Sequence, residues 1–226
     1  MKKILTVIVI TVFSLSVYAQ KDVTKFLGIP VDGTKAEMIQ KLKEKGFKPI
    51  AYNKEVLEGE FNGHDVHVHV GTNGNKVYRI IVADANSTNE KKKKIRFNTL
   101  CKQFKKNAKY ISLEDFTIPD DENISTQMTL YNKRFQAAFY QQPEMLDTAF
   151  VQQELLSKLQ RLYTPEQLKN PTEEIKAKSQ ELAIEVAIEL YQKKSVWFMI
   201  SKDGYDEYSI LMYYDNEYNH ADGEDL

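Results

Sequence analysis

The two strand-like runs "LEGEF" and "HDVHVHV" meet at Asn62-Gly63, and this junction constrains the fold more than any other feature. Asn-Gly readily adopts the positive φ angles of a two-residue hairpin turn. The second run alternates valine with histidine, a period of two that is typical of a strand with one buried face. A third run, "VYRIIVADA", follows a turn that contains Asn73-Gly74. Together the three runs predict a three-stranded antiparallel meander.

A helix is expected on either side of this meander. The first covers residues 34–46, where Thr34 is followed three residues later by glutamate, the spacing of a capping box, and where a glycine ends the helix. The second covers residues 88–108 and is indicated by Ser87 with glutamate three residues on. Its apolar stripe recurs at helical spacing and consists of Phe97, Leu100, Cys101, Phe104 and Ala108.

More strand candidates follow the second helix. The segment "STQMTLYNKRFQAAFYQQ" offers two strands around Asn132-Lys133, and the runs "SVWFMIS" and "YDEYSILMYYD" flank a turn signal at residues 202–204. Between these groups, residues 145–193 form a predicted helical insertion, because Thr164-Pro165 and Asn170-Pro171 are typical helix starts.

A helix followed by antiparallel strands therefore occurs twice along the chain. We expect an α+β fold made of two helix-plus-antiparallel-sheet units, residues 20–86 and residues 87–226, with the insertion inside the second unit. The repeated order of elements suggests a tandem repeat, although residue identity between the halves is negligible.

The first residues, "MKKILTVIVITVFSLSVYAQ", have the pattern of a secretory signal peptide. We expect cleavage after Ala19 and a periplasmic or secreted chain without stable membrane insertion, because no second long apolar run follows. The sequence has 31 basic and 32 acidic residues, and removal of Lys2 and Lys3 changes the net charge from −1 to −3. This charge gives no reason to expect a nucleic-acid partner. The single Cys101 excludes an internal disulfide and suits a small buried apolar position.

Three potential metal ligands share one face of the predicted middle strand, namely Asp65, His67 and His69. One interpretation is a metal-binding protein or metal-dependent hydrolase centred on His67 and His69. The other is a strand whose valines pack on helices while its polar face meets water. The second is favoured because catalytic zinc usually needs three protein ligands and the sequence contains no H-E-x-x-H motif.

Two charged segments also have alternative interpretations. The run Lys91–Lys94, continued by further basic residues, could contact phosphate or anionic lipid, but the helical spacing favours a solvated outer face. The tail "YYDNEYNHADGEDL" is rich in the oxygen donors that calcium prefers, but His220 stands where an EF-hand loop needs glycine. We therefore expect a solvated end to the last strand. The oxygen donors of the tail are Asp215, Asn216, Glu217, Asn219, Asp222, Glu224 and Asp225.

Aromatic residues are dense near the C-terminus, and an exposed tyrosine and tryptophan surface on a sheet suits the binding of protein or carbohydrate. The candidate binding residues are Trp197, Tyr205, Tyr208, Tyr213 and Tyr214. The sequence contains no G-x-S-x-G elbow, P-loop or G-x-G-x-x-G motif, so we expect neither an enzyme nor a cofactor. Asp147-Thr148-Ala149 matches a short O-glycosylation sequon, which leaves glycosylation of Thr148 open.

The opening "FLGIPVDGTKAEMIQKLKEKGF", followed by "LEGEFNG" and two more strands, resembles the helix-then-sheet repeat of β-lactamase-inhibitor-protein-like domains. The closing "YSILMYYDNEYNHADGEDL" resembles the ends of uncharacterised exported proteins of gut bacteria. The first resemblance implies a non-enzymatic protein that binds another protein or an envelope ligand through a concave sheet face. This chain departs from those domains by lacking their disulfides, since it has one cysteine.

Overall fold

The computed structural model describes residues 22–143 and 148–220, and the side chains of residues 148–150 are not described. The predicted signal peptide and its cleavage after Ala19 therefore lie outside the described residues. The same holds for Asp147 and the side chain of Thr148 in the sequon, and for the acidic tail beyond His220.

The described chain folds into helices and a mostly antiparallel sheet, which confirms the α+β class. The helices are α1 (Lys35–Glu44), α2 (Glu90–Lys106), α3 (Ile124–Leu130), α4 (Thr148–Leu162), α5 (Pro165–Lys169) and α6 (Glu173–Gln192). The strands are β1 (Lys25–Phe26), β2 (Ile29–Pro30), β3 (Lys48–Ile50), β4 (Asn53–Phe61), β5 (His64–Asn73), β6 (Lys76–Asp84), β7 (Tyr110–Ile111), β8 (Gln136–Gln141), β9 (Ser195–Gly204) and β10 (Glu207–Asp215). One 3₁₀ turn, Glu217–Asn219, follows β10.

Strands β3 to β10 form one eight-stranded antiparallel sheet in the order β3-β4-β5-β6-β10-β9-β8-β7, and β1 and β2 form a separate ribbon. The junction of the two halves is the pairing of β6 with β10, in which Ile80 faces Tyr214. Helix α1 precedes the four strands β3 to β6 of the first half, and helix α2 precedes the four strands β7 to β10 of the second half. The tandem repeat of sequence stays a prediction.

The hairpin at Asn62-Gly63 forms as expected, with φ angles of 53° and 74° and with the flanking residues of β4 and β5 paired. The next turn lies one residue later than predicted, because the positive φ angles of 52° and 64° belong to Gly74 and Asn75. Asn73 instead pairs with Lys76 at the end of the ladder.

Helices α1 and α2 pack on the same face of the sheet and bury its apolar residues. The valines at 66, 68 and 70 are buried there as expected, beside Met38 and Leu42 of α1. Four residues of the predicted stripe of α2 are buried as well, whereas Ala108 is exposed and lies beyond the end of the helix; the four are Phe97, Leu100, Cys101 and Phe104. The rings of Phe97 and Phe104 contact Phe198 with centroids 5.0 and 5.7 Å apart. The core therefore lies between this face and the two helices.

The helical insertion consists of α4, α5 and α6 and separates β8 from β9, which are hydrogen-bonded neighbours in the sheet. Its buried residues are not part of the main core, and they are Leu159, Ile175, Leu182 and Val186. None of the described helices is long and apolar enough to span a membrane.

Two local predictions around α2 and α3 are wrong. The segment that begins at Ser125 and precedes Asn132, predicted as a strand, lies in α3. The Asn123 side chain caps this helix and accepts from the Thr126 N–H at 2.6 Å. The carboxylate of Glu90 also accepts from the backbone N–H groups of Ile124 and Ser125 at 2.7 and 3.2 Å. Helix α2 is capped by Asn89, whose side chain accepts from the Lys92 N–H at 3.1 Å. Both helices therefore begin after an asparagine cap, and α2 is capped two residues later than the predicted Ser87.

The lysine run of α2 is not simply a solvated face, which corrects the sequence interpretation. Lys93 is only 2% exposed and its ammonium contacts Asp84, which also accepts a 2.6 Å bond from Arg96 Nη2. Because Asp84 ends β6 beneath α2, two of the basic residues turn inward to neutralise a buried carboxylate. Lys94 donates to the carbonyl oxygens of Pro119 and Asp120.

Candidate functional site

The face of the sheet opposite α1 and α2 carries partly exposed side chains, and we refer to it as the open face. Strand alternation sends every second residue of each strand to this face. Its central row crosses five adjacent strands, and each residue pairs with the next across the ladder. The row consists of His69, Ile81, Tyr213, Trp197 and Ala138. All five side chains are half-buried, in contrast to the buried residues of the opposite face.

An aromatic pair with an arginine occupies the middle of the open face. The rings of Trp197 and Tyr213 stack with centroids 3.9 Å apart and an angle of 13° between their planes. The guanidinium carbon of Arg79 lies 5.1 Å from the Tyr213 ring centroid and 5.6 Å from that of Trp197. These distances permit cation–π attraction, which adds to the stacking of the rings.

Asp215 is hydrogen-bonded to both Arg79 and Trp197 of this cluster. Its side chain is only 3% exposed, and its two oxygens accept from Nε and Nη2 of Arg79 at 2.5 and 2.9 Å. The oxygen Oδ2 also accepts from Nε1 of Trp197 at 2.8 Å. The hydrogen bond with Asp215 raises the pKa of Arg79 above its ordinary value, so the guanidinium stays charged. A buried carboxylate thus fixes both a cation and an indole ring at the surface.

The five aromatic residues predicted to bind a ligand fall into three environments. Trp197 and Tyr213 lie on the open face. Tyr208 and Tyr214 point to the opposite face and are buried in the core, with exposed fractions of 0% and 3%, because they alternate with the open-face positions of β10. Tyr205 is 99% exposed in the turn between β9 and β10, away from the cluster. Burial thus removes Tyr208 and Tyr214 from any surface contact.

Arg79 and Asp215 were not among the predicted binding residues. Asp215 was considered only as a calcium ligand of the tail, and Arg79 lies in an apolar run that indicated a strand. Their pairing joins residues 136 positions apart in sequence and depends on the contact of β6 with β10. The one local signal was Arg79 itself, a charged residue inside "VYRIIVADA".

The histidines of β5 also lie on the open face. His69 occupies the central row, and His67 lies in the neighbouring row opposite Ala83. Burial lowers the pKa of His69 below its ordinary value, and the charge of nearby His67 lowers it further. The ligating atoms of Asp65, His67 and His69 are not gathered within 4.8 Å of one another in the described residues. The geometry therefore offers no ready three-ligand metal site at these positions.

One other group of potential ligands is Asp215, Glu217 and His220, whose ligating atoms do lie within 4.8 Å of one another. Both oxygens of Asp215 are already bound to Arg79, and His220 Nε2 lies 3.9 Å from Glu217 Oε1. Asn216 and Asn219, two further oxygen donors of the tail, bond the backbone carbonyls of Val31 and Val77 at 2.7 and 2.8 Å. These side chains hold the end of β10 against its neighbours.

Two hollows border the open face. The larger, about 470 Å³, lies where the end of α6 meets the sheet and is lined by Tyr140, Glu189, Gln192, Lys193, Ser195 and Glu217. The smaller, about 250 Å³, lies at the β8 edge and is lined by Phe116, Gln136, Ala137, Ala138 and Trp197. Trp197 thus belongs both to the central cluster and to the wall of the smaller hollow.

The residues of the open face suit the binding of a partner better than catalysis. Tryptophan, tyrosine and arginine are the residues that dominate binding energy in protein interfaces. The described cysteine, Cys101, is buried, and burial raises the pKa of its thiol to about 12, so it is a poor nucleophile. Comparison of the chain with protein-family models, with curated proteins and with solved structures finds no match.

Proposed function

We propose that the chain is an exported, non-enzymatic binding protein that holds another protein on the open face. The observation that carries this proposal is the cluster of Trp197, Tyr213 and Arg79, anchored by the buried Asp215. Because Asp215 orients both the guanidinium and the indole in the free protein, little side-chain freedom is lost on binding. Preorganised aromatic and arginine residues are typical anchors of protein interfaces.

The surroundings of the cluster support a protein ligand. Ile81, Leu211 and Met199 place apolar side chains around it, while His67 and His69 add polar groups on one side. An apolar centre with a polar margin is the usual composition of a protein interface. The resemblance to β-lactamase-inhibitor-protein-like domains implies the same mode of action. Export is part of the proposal and follows from the N-terminal sequence pattern.

The test is affinity capture from an envelope extract with the immobilised chain that begins at Gln20. Ile81→Glu places a charge in the centre of the open face without touching the core, and Tyr205→Ala removes an exposed aromatic residue outside this face. We expect the same protein to be captured by the wild type and by Tyr205→Ala, and to be lost with Ile81→Glu. Equal capture by all three chains, or a captured polysaccharide in place of a protein, would overturn the proposal.

A further inference from the structure

Strand β8 leaves part of its outer edge unpaired. The Phe135 carbonyl accepts from the Ile200 N–H, and the Gln141 N–H donates to the Lys194 carbonyl, both at 3.0 Å. Odd-numbered residues of β8 therefore bond β9, and the backbone groups of even-numbered residues point outward. Among these, Tyr140 pairs with Ile111 of β7.

The short β7 ends there, so the outward N–H and C=O groups of Gln136 and Ala138 have no strand beside them in the described part of the chain. Sheets usually protect such edges with proline, charge or a covering element. The opposite edge follows this rule, since β3 contains Lys48 and Pro49. The stretch Gln136–Ala138 contains neither a proline nor a charged residue.

The smaller hollow lies beside this free edge. Its lining indicates which kind of side chain an added strand would place there. Its wall contains Trp197 and Phe116, while the intervening Ala138 has a minimal side chain. A residue placed opposite Ala138 on an added strand would continue the row of Tyr213 and Trp197 and would fill the hollow. An aromatic or large aliphatic side chain suits a volume of about 250 Å³.

We propose that the partner held by the open face contributes an extended segment that pairs with Gln136–Ala138 of β8 as a ninth strand and inserts an apolar side chain between Trp197 and Phe116. This inference rests on the proposed function and specifies its partner as a peptide strand. The free edge is only three residues long before the pairing with β7 begins at Tyr140, which suits a short flexible segment better than the rigid edge of a second copy. Exposed Arg134 favours a carboxylate near one end of that segment.

The experiment selects ligands from a phage-displayed library of random nine-residue peptides and compares Ala138→Pro with a control outside the free edge. Ala138→Pro removes an outward N–H and leaves the ladder to β9 intact, whereas Tyr205→Ala changes an exposed turn residue away from β8. We expect the selected peptides to carry one apolar residue within a stretch whose side chains alternate as in a strand. Their affinity should fall at least tenfold in Ala138→Pro and stay within about twofold in Tyr205→Ala.

A second measurement does not depend on the folding of a variant. Hydrogen exchange at the Gln136 and Ala138 amides of the wild type should slow when a selected peptide binds, because these N–H groups become hydrogen-bonded. A library without enrichment, or unchanged exchange at both amides, would overturn the inference. Binding that is lost in Ile81→Glu but kept in Ala138→Pro would also overturn it while supporting the proposed function of the open face.

Discussion

At the residue scale, Asp84 is a buried carboxylate at the end of β6. Asp84 accepts from Lys93, from Arg96 and from the Ile210 N–H, and it is the carboxylate that balances the two inward-facing cations of α2. Burial raises the pKa of Asp84 above its ordinary value, although the hydrogen bond from Lys93 acts in the opposite direction. Burial also lowers the pKa of Arg96 to about 10. The cluster is therefore sensitive to the loss of Asp84, the carboxylate that contacts both cations.

Replacing Asp84 by asparagine should lower the free energy of unfolding by about 3–5 kcal/mol, because Lys93 and Arg96 lose the buried carboxylate that contacts both of them. Lys93→Met should cost less, since Asp84 keeps Arg96 and the Ile210 N–H. Urea unfolding of the three chains at neutral pH measures both losses. A smaller loss for Asp84→Asn than for Lys93→Met would show that the carboxylate does not hold the cluster.

His69 should make stability depend on pH in a window below its unfolded pKa of about 6.5. Because burial lowers its folded pKa, the unfolded chain binds the proton more tightly. The contribution of His69 is thus fully present above the unfolded pKa and is lost as the pH falls toward the folded value. His69→Gln should reduce the difference in unfolding free energy between pH 7.5 and pH 5.5. The exposed His64 at the start of β5, changed to glutamine, is the control, and equal effects of both changes would contradict the assignment.

At the scale of elements, the insertion packs largely on itself. The ladder of β8 with β9 runs from Gln136 opposite Met199 to Tyr140 opposite Ser195. The pairing of these two strands therefore does not involve residues of α4, α5 or α6. Replacing residues 143–193 with a short turn containing Asn-Gly should therefore leave a cooperatively folded protein. A thermal transition followed by near-ultraviolet circular dichroism tests this. Loss of a cooperative transition would show that the insertion is part of the main core.

Elements whose signals are local were predictable from the sequence. The hairpin at Asn62-Gly63, the capping box of Thr34 and the buried stripe of α2 depend on neighbouring residues alone. Helix α3 was missed although Asn123 caps it locally, and its start is also held by Glu90, a residue 34 positions away from Ile124 that no local pattern could identify. The centre of the candidate site was missed for the same reason, since the arginine and aspartate that define it meet only when β6 pairs with β10.

At the scale of the whole molecule, the two halves contribute different parts of one surface. The first half supplies His69, Ile81 and Arg79 to the open face, and the second supplies Tyr213 and Trp197. The pairing of β6 with β10 brings these parts together into a continuous face. A ligand that spans the junction therefore contacts both halves at once. Neither half alone provides this surface.

The dissociation constant of the captured partner, measured by titration calorimetry, tests this claim most directly. Ile81→Glu should weaken binding at least tenfold, which corresponds to about 1.4 kcal/mol, because it places a charge between the two halves of the face. Tyr205→Ala should leave the constant unchanged, since that side chain is almost fully exposed in a turn outside the face. Equal dissociation constants for the wild type and Ile81→Glu would show that the open face is not the binding surface.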